Sequence, residues 1–217
     1  MECICDHALR TKRMTMPTAT IEHKTLPSHD DVLAAMAQAE QADGWLAVCE
    51  QAGRYLTLTR ELVDALERQL QSLGDRPVLE VCAGRGELAA TLTDQGVSII
   101  ATDGASNGDG SVIQLDATEA LDVYQPAVVL GSFVPFDADV DQAVLACRSV
   151  QRYVVLNARI GGQLGHPDLW RCADWCAQPL DEVSRWMITR HDVWVGRTRR
   201  PFITHGEAWQ LSRRIKS

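Results

Sequence analysis

Val78-Leu79-Glu80-Val81-Cys82-Ala83-Gly84-Arg85-Gly86-Glu87-Leu88-Ala89 is an apolar run that passes straight into a turn of small residues and then into a helical pattern. Small residues let a backbone approach a ligand closely, and the unpaired amides of a first helical turn are donors for an anion. Gly84, Gly86 and Ala89 also satisfy the G-x-G-x-x-G/A dinucleotide fingerprint. A ligand-free strand-to-helix turn uses glycine for the same steric reason. The surroundings of the turn have to decide between these.

Downstream of Pro77, short apolar runs alternate with helical segments, the pattern of βαβ units and a parallel sheet. Strands are expected at Val78 to Val81, Val97 to Thr102, Val112 to Leu115, Ala127 to Leu130 and Tyr153 to Asn157. Helices are expected near Gly86 to Gln95, Thr118 to Val123 and Asp139 to Val150, with a further one around Leu169 to Ala177. Val183 to His191 and Glu207 to Arg214 alternate and are expected to pair as a terminal antiparallel hairpin, completing seven strands. Asp192 to Gly206, with Pro201, is expected to be a surface loop. Glu80, Asp103 and Asp116 each close one of the first three strands. In a parallel sheet those ends share one edge, where ligands bind, so the three acids are placed in one cleft.

Upstream, the chain reads as helical. Ser28 and Asp31 form a capping-box pattern ahead of Val32, Leu33 and Met36, a second helix spans Trp45 to Gln51, and a third runs from Thr59 to Leu73 before Gly74. Residues 1–27 lack sustained periodicity and are expected to be a flexible arm, with residues 28–217 forming one domain whose 28–74 part is helical and whose 75–217 part is the α/β core.

Composition limits the function. At 217 residues and 46% hydrophobic content the chain can bury a full α/β core. No apolar run is long enough for a bilayer and no signal-peptide pattern appears, so a soluble cytoplasmic protein is expected. A net charge of -8 argues against nucleic acid as partner. The basic C-terminal end, with Arg197, Arg199, Arg200, Arg213, Arg214 and Lys216, is read as a solvated surface rather than a phosphate or carboxylate clamp. The seven cysteines are odd in number and scattered, so reduced thiols are expected. Cys172 and Cys176 with Cys3 and Cys5 do not have the spacing of a zinc motif, and no metal is expected.

Taken together, Glu80, Gly84, Gly86, Asp103 and Asp116 resemble the class I S-adenosylmethionine-dependent methyltransferases, in which an acid and three glycines follow the first strand and acids close the second and third. Cys82 stands at the first glycine position. The likeness covers Thr59 to Asn157. It implies a Rossmann-like three-layer α/β fold with a seven-stranded, mostly parallel sheet. It further implies that the turn of Cys82, Ala83, Gly84 and Gly86 borders the methionine part of S-adenosylmethionine. Asp103 would accept both ribose hydroxyls, and Asp116, with Ala117 beside it, would meet the adenine. Gly131 opens the Gly131-Ser132-Phe133-Val134-Pro135 segment towards which the methyl would point, and Tyr55 would close over the cofactor from the N-terminal side. That segment is not the Asn/Asp-Pro-Pro-Tyr/Phe motif of enzymes methylating amino groups of nucleic acids and glutamine, so N6-adenine methylation is disfavoured.

Methyl transfer from a sulfonium needs alignment and a dry pocket more than it needs a base. If a base acts, His166, His191 and Asp137 are the catalytic candidates, as they follow strands four to six. The expectation is methyl transfer to a small molecule of specialised metabolism. The alternatives are an elimination or cyclisation on the same fold, with a partner subunit or homo-oligomer, and a nicotinamide-dependent oxidoreductase.

Overall fold

The computed structural model describes residues 25–39, 44–74, 76–105, 110–135, 139–159, 167–197 and 200–214. Of the expected arm, only 25–27 falls among them. There Leu26 packs against the core, and the carbonyl of Pro27 accepts the Arg60 amide at 3.1 Å.

The N-terminal part is helical because its caps are written locally. Helix α1 (His29–Ala39) starts where Ser28 Oγ accepts the Asp31 amide at 3.1 Å and Asp31 Oδ2 accepts the Ser28 amide at 3.0 Å. Helix α2 (Trp45–Gln51) follows, then a short strand, β1 (Leu56–Thr57), and α3 (Arg60–Gln71), capped by Thr59 through its bond to the Leu62 amide. The alternating region supplies β2 (Val78–Val81), α4 (Glu87–Asp94), β3 (Ile99–Asp103), β4 (Ile113–Gln114), α5 (Ala117–Tyr124), β5 (Val128–Ser132), α6 (Val140–Ala146) and β6 (Arg152–Ala158). It closes with β7 (Trp175–Pro179), α7 (Asp181–Ser184), β8 (Ile188–Thr189), β9 (Val193–Arg197), β10 (Arg200–Ile203) and β11 (Gly206–Arg213).

Seven strands form one sheet in the order β4-β3-β2-β5-β6-β11-β7. Strands β2 to β6 run parallel, and β11 lies antiparallel between β6 and β7. Alternate residues of the central strands serve opposite faces. Val78, Val128, Leu130, Val154 and Leu156 pack with Leu62 and Leu66 of α3, Leu92 of α4 and Val183 of α7. Leu79, Val129, Tyr153 and Val155 pack with Leu121 of α5 and Val144 of α6. Burial on both faces is why these strands read as unbroken apolar runs. The result is the expected three-layer Rossmann-like α/β sandwich with a seven-stranded, mostly parallel sheet. Among the described residues no helix is long and apolar enough to cross a membrane.

The C-terminal third differs from the expectation in its pairing. The antiparallel partner of β11 is Trp175–Pro179, where a helix was expected, and only the turn at Pro167–Trp170 is helical. Trp175 alone of β7 is buried, as suits an edge strand that contributes one anchor to the core. Val183 to His191 is not a strand of the sheet. Val183 and Met187 pack beneath α3, and only Ile188–Thr189 is extended, paired with β1. Asp192 to Gly206 is not a bare loop, since β9 and β10 within it pair antiparallel. Together with the N-terminal helices these pieces make a cover over one end of the sheet. Val32, Met36, Trp45, Cys49 and Ile188 form its apolar centre, and Trp45 Nε1 donates to the Thr189 carbonyl at 2.8 Å. Buried Asp192 ties it together by accepting from the Thr189 amide, the Thr189 hydroxyl and the His205 amide.

Arg213 is neither solvated nor a clamp. Its guanidinium donates to the carbonyls of Leu145, Cys147 and Val150 and lies 4.5 Å from the centre of the Trp175 ring, which closes the C-terminal end of α6. Arg214 donates to the Trp175 carbonyl. Arg199 and Lys216 lie outside the described residues, as do Cys3 and Cys5.

Candidate functional site

The strand order reverses between β2 and β5, and a cleft of about 300 Å³ opens there over the C-terminal ends of β2, β3 and β5. Its floor is the turn after β2. Cys82, Gly84 and Gly86 all have left-handed backbone, at φ 55°, 59° and 74°, which curls the chain back within five residues. A Cβ on Gly86 would stand 2.6 Å from a methyl of Val112, so only glycine fits, whereas one on Gly84 would meet nothing within 4 Å. Cys82 holds this backbone with a side chain, a cost of about 1 kcal/mol or more that a glycine would avoid.

Asp103 closes β3 and fastens the turn. Its Oδ2 accepts the Gly84 amide at 2.8 Å and its Oδ1 accepts the Ala105 amide at 2.8 Å. The Ala83 amide donates to the Thr102 carbonyl at 3.0 Å, and Thr102 Oγ1 donates to the Glu80 carbonyl at 3.0 Å, so β2 and β3 are locked together at the site. Glu80 lines the cleft from below at 2% exposure, and its Oε2 has no hydrogen-bond partner among the described residues. Burial pushes its carboxyl up to about 8, the amide of Ala89 opposing this and the charge of Asp103 adding to it.

The upper wall comes from two directions. Phe133, after β5, also has left-handed backbone (φ 54°), and its amide donates to the Leu156 carbonyl at 2.8 Å. The ring of Tyr55, from the α2–β1 connection, lies 5.7 Å from that of Phe133, and the guanidinium of Arg190 covers Tyr55 at 3.8 Å.

The structure thus brings Tyr55, Glu80, Cys82, Ala83, Gly84 and Asp103 to one cleft. Gly86 shapes the turn without lining the cleft, and Gly131 does the same within β5, where Tyr153 and Val134 occupy the space of a side chain. Asp116 caps α5 in a reciprocal capping box with Glu119, and neither it nor Ala117 is among the lining residues. His191 also stands outside the lining. Its Nε2 accepts from Arg190 Nε at 3.2 Å, and burial, with the Arg190 charge, lowers its pKa. His166 and Asp137 lie outside the described residues. Sequence reasoning missed Gly53, Arg54, Arg85 and Leu58 as lining residues. Arg85 sits inside the quoted turn and could have been singled out, but nothing local marks Arg54. Among the described residues no cluster of His, Cys, Asp and Glu has the arrangement to hold a metal ion.

No family model matches the chain, and no curated protein matches it in sequence. Solved structures are similar to it in fold. The 1,6-didemethyltoxoflavin-N1-methyltransferase of Burkholderia thailandensis, solved with 1,6-didemethyltoxoflavin and S-adenosylhomocysteine, aligns at 12% identity and TM-score 0.46 over 86% of this chain and 87% of its own. The 23S rRNA methyltransferase ErmE aligns at 13% identity and TM-score 0.46 over 75% and 70%. The plantazolicin methyltransferase BpumL, in complex with SAH, aligns at 10% identity and TM-score 0.45 over 71% and 82%. At such identities the likeness is one of fold.

Proposed function

We propose that the chain binds S-adenosylmethionine in the cleft over β2, β3 and β5 and transfers its methyl group to a small molecule. The observation that carries this reading is the Asp103 carboxylate on the cleft wall. Each of its oxygens is fixed by one backbone amide and keeps further acceptor capacity, which suits a pair of ribose hydroxyls. Glu80 fits the same ligand from below. A buried carboxylate with an unpaired oxygen favours a cation, and the cofactor carries both a sulfonium and an α-ammonium. When bound, the cofactor supplies an electrophilic methyl. The protein's part is then to orient it and exclude water, with Phe133 and Tyr55 as apolar walls. His166, His191 and Asp137 remain the candidates for a base, Asp116 and Ala117 for the adenine side, and Gly131 and Gly86 for shaping the turns. A small molecule is preferred to nucleic acid because the chain is acidic overall.

Calorimetry with S-adenosylmethionine, S-adenosylhomocysteine and NADH tests the reading. The adenosyl ligands are expected to bind and NADH not, with Asp103→Ala weakening them by about tenfold or more. Folded protein that binds neither adenosyl ligand, or binds NADH instead, overturns it. Release of S-adenosylhomocysteine on mixing with a small-molecule extract, and not with total RNA, tests the substrate class.

A further inference from the structure

We propose that Arg190 is a positioning residue that holds the aromatic wall of the cleft, and that a neutral His191 is what keeps it there. For its ligand this inference rests on the cofactor reading given above; for its contacts it rests on geometry alone. Tyr55 is the weak point of the wall. It lies on the connection between α2 and β1, just after left-handed Gly53, and is 48% exposed although it lines the cleft. A half-exposed ring on a connecting segment has rotamer freedom to lose, so holding it in one place takes contacts on more than one side. Phe133 supplies one from the sheet, with ring centres 5.7 Å apart, and Arg190 supplies another from the cover, its guanidinium 3.8 Å from the ring centre.

Arg190 engages Tyr55 through backbone and side chain together. Tyr55 directly precedes β1 and Arg190 directly follows β8, so the antiparallel pairing of those strands sets the two opposite each other, and the Arg190 amide donates to the Tyr55 carbonyl at 3.0 Å. The guanidinium then covers the ring, where a cation is attracted to the aromatic face. His191 aims it. Arg190 Nε donates to His191 Nε2 at 3.2 Å, which requires a lone pair on that nitrogen and puts the imidazole proton on Nδ1. A protonated His191 carries a hydrogen on both nitrogens, so it cannot accept from Arg190, and two like charges would meet where the bond was.

The surroundings agree with a neutral imidazole. Burial and the Arg190 charge hold the His191 pKa below the ordinary 6.5; His205, on the β10–β11 connection, acts the same way, while Asp192 and Glu50 of α2 oppose. Asp192 is already engaged by the Thr189 amide and hydroxyl and by the His205 amide. Acid is therefore what releases the arginine. A ligand that needs the wall binds more weakly as pH falls through the His191 value, and by linkage its binding lowers that value further.

The ligand-free test is an NMR titration from pH 8 to pH 4.5 of protein carrying 13C in its three tyrosine rings, with Tyr55→Phe assigning the Tyr55 signal and buried Tyr153 reporting that each variant is folded. The Tyr55 signal is expected to shift with a midpoint below 6.5 in the parent and in His205→Gln. It should stay flat in Arg190→Ala and in His191→Gln, whose amide offers Arg190 an acceptor that cannot be protonated. No shift in the parent, a shift that persists in Arg190→Ala or His191→Gln, or one lost with His205→Gln instead overturns the proposal. Calorimetry with S-adenosylhomocysteine at pH 7.5 and pH 5 gives the second arm. Between those values the parent is expected to lose about threefold more affinity than His191→Gln, the size of one cation–π contact at an exposed site. At pH 7.5 Arg190→Ala should bind about threefold more weakly than the parent, with Arg190→Lys, which keeps a cation over the ring, recovering most of the loss. Equal pH dependence in parent and His191→Gln, or Arg190→Ala binding as tightly as the parent, also overturns it. Failure of S-adenosylhomocysteine to bind the unaltered protein overturns the cofactor reading, and the tyrosine titration then decides alone on Arg190 and His191.

Discussion

A Cβ built on Gly131 would stand 2.6 Å from the phenol oxygen of Tyr153, which donates a 2.7 Å hydrogen bond to buried Asp141. The small residue in β5 is therefore required by the strand beside it. Gly131→Ala is expected to destabilise the protein by about 1–3 kcal/mol through overpacking, measured by urea unfolding. Because the clash involves the hydroxyl, combining it with Tyr153→Phe should cost less than the sum of the two single changes. Strict additivity would show that the phenol does not set the size of residue 131.

Glu80 makes stability depend on pH in a direction unusual for a carboxylate. Its folded value, about 8, lies above the ordinary 4.5, so its contribution is fully present below pH 4.5 and is lost as pH rises through 8. Above that, an ionised group stays buried at a cost on the order of a few kcal/mol. Glu80→Gln should remove the slope, leaving the cofactor-free variant gaining on the parent between pH 5 and pH 9 in denaturant titrations. A cationic ligand should instead ionise Glu80. Binding of S-adenosylmethionine at pH 7 is thus expected to release a proton, seen as a buffer-dependent calorimetric enthalpy. Parallel stability profiles for Glu80→Gln and its parent would contradict this account.

What was legible in the sequence was local. The Ser28 cap, the helix that begins at Thr59, the turn after β2 and the acid closing β3 each show in a short stretch of the chain. Partner choice was not legible. Trp175–Pro179 becomes a strand because β11 offers it an open edge, and Val183 to Met187 leaves the sheet because α3 offers an apolar floor. Arg213 looked like surface charge because the carbonyls it caps lie more than sixty residues away. Asp116 could be read for the adenine or for a cap, and its bond to the Glu119 amide shows that the cap is made. The cleft wall from Gly53 to Leu58 is held at the site by the pairing of β1 with β8 and by the packing of Leu56 and Leu58 on the core, contacts that no local pattern announces.

The left-handed backbone of Cys82 can be tested without reference to a ligand. At φ 55° an alanine retains the steric cost and a glycine does not. Cys82→Gly should therefore be more stable than Cys82→Ala by about 1 kcal/mol, the reverse of their order at an ordinary strand or helix position. Thermal unfolding of the two variants under one buffer decides it. Alanine proving the more stable would mean that the turn relaxes out of the left-handed region.

The thiol of Cys82 should be far less reactive than its place on the cleft wall suggests. Burial pushes it up to about 11, and the nearby charges of Asp103, Asp141 and Glu80 act in the same direction. At pH 7.5 that leaves on the order of one thiolate in three thousand, and the thiolate is the nucleophile. Cys176 stands exposed on the edge strand β7. In limited iodoacetamide labelling followed by peptide mass spectrometry, Cys176 is expected to be modified well before Cys82, with labelling of Cys82 climbing steadily as pH approaches 11. Cys82 modified first at pH 7.5 would require a cation beside the sulfur, and Arg85 would be the residue to substitute next.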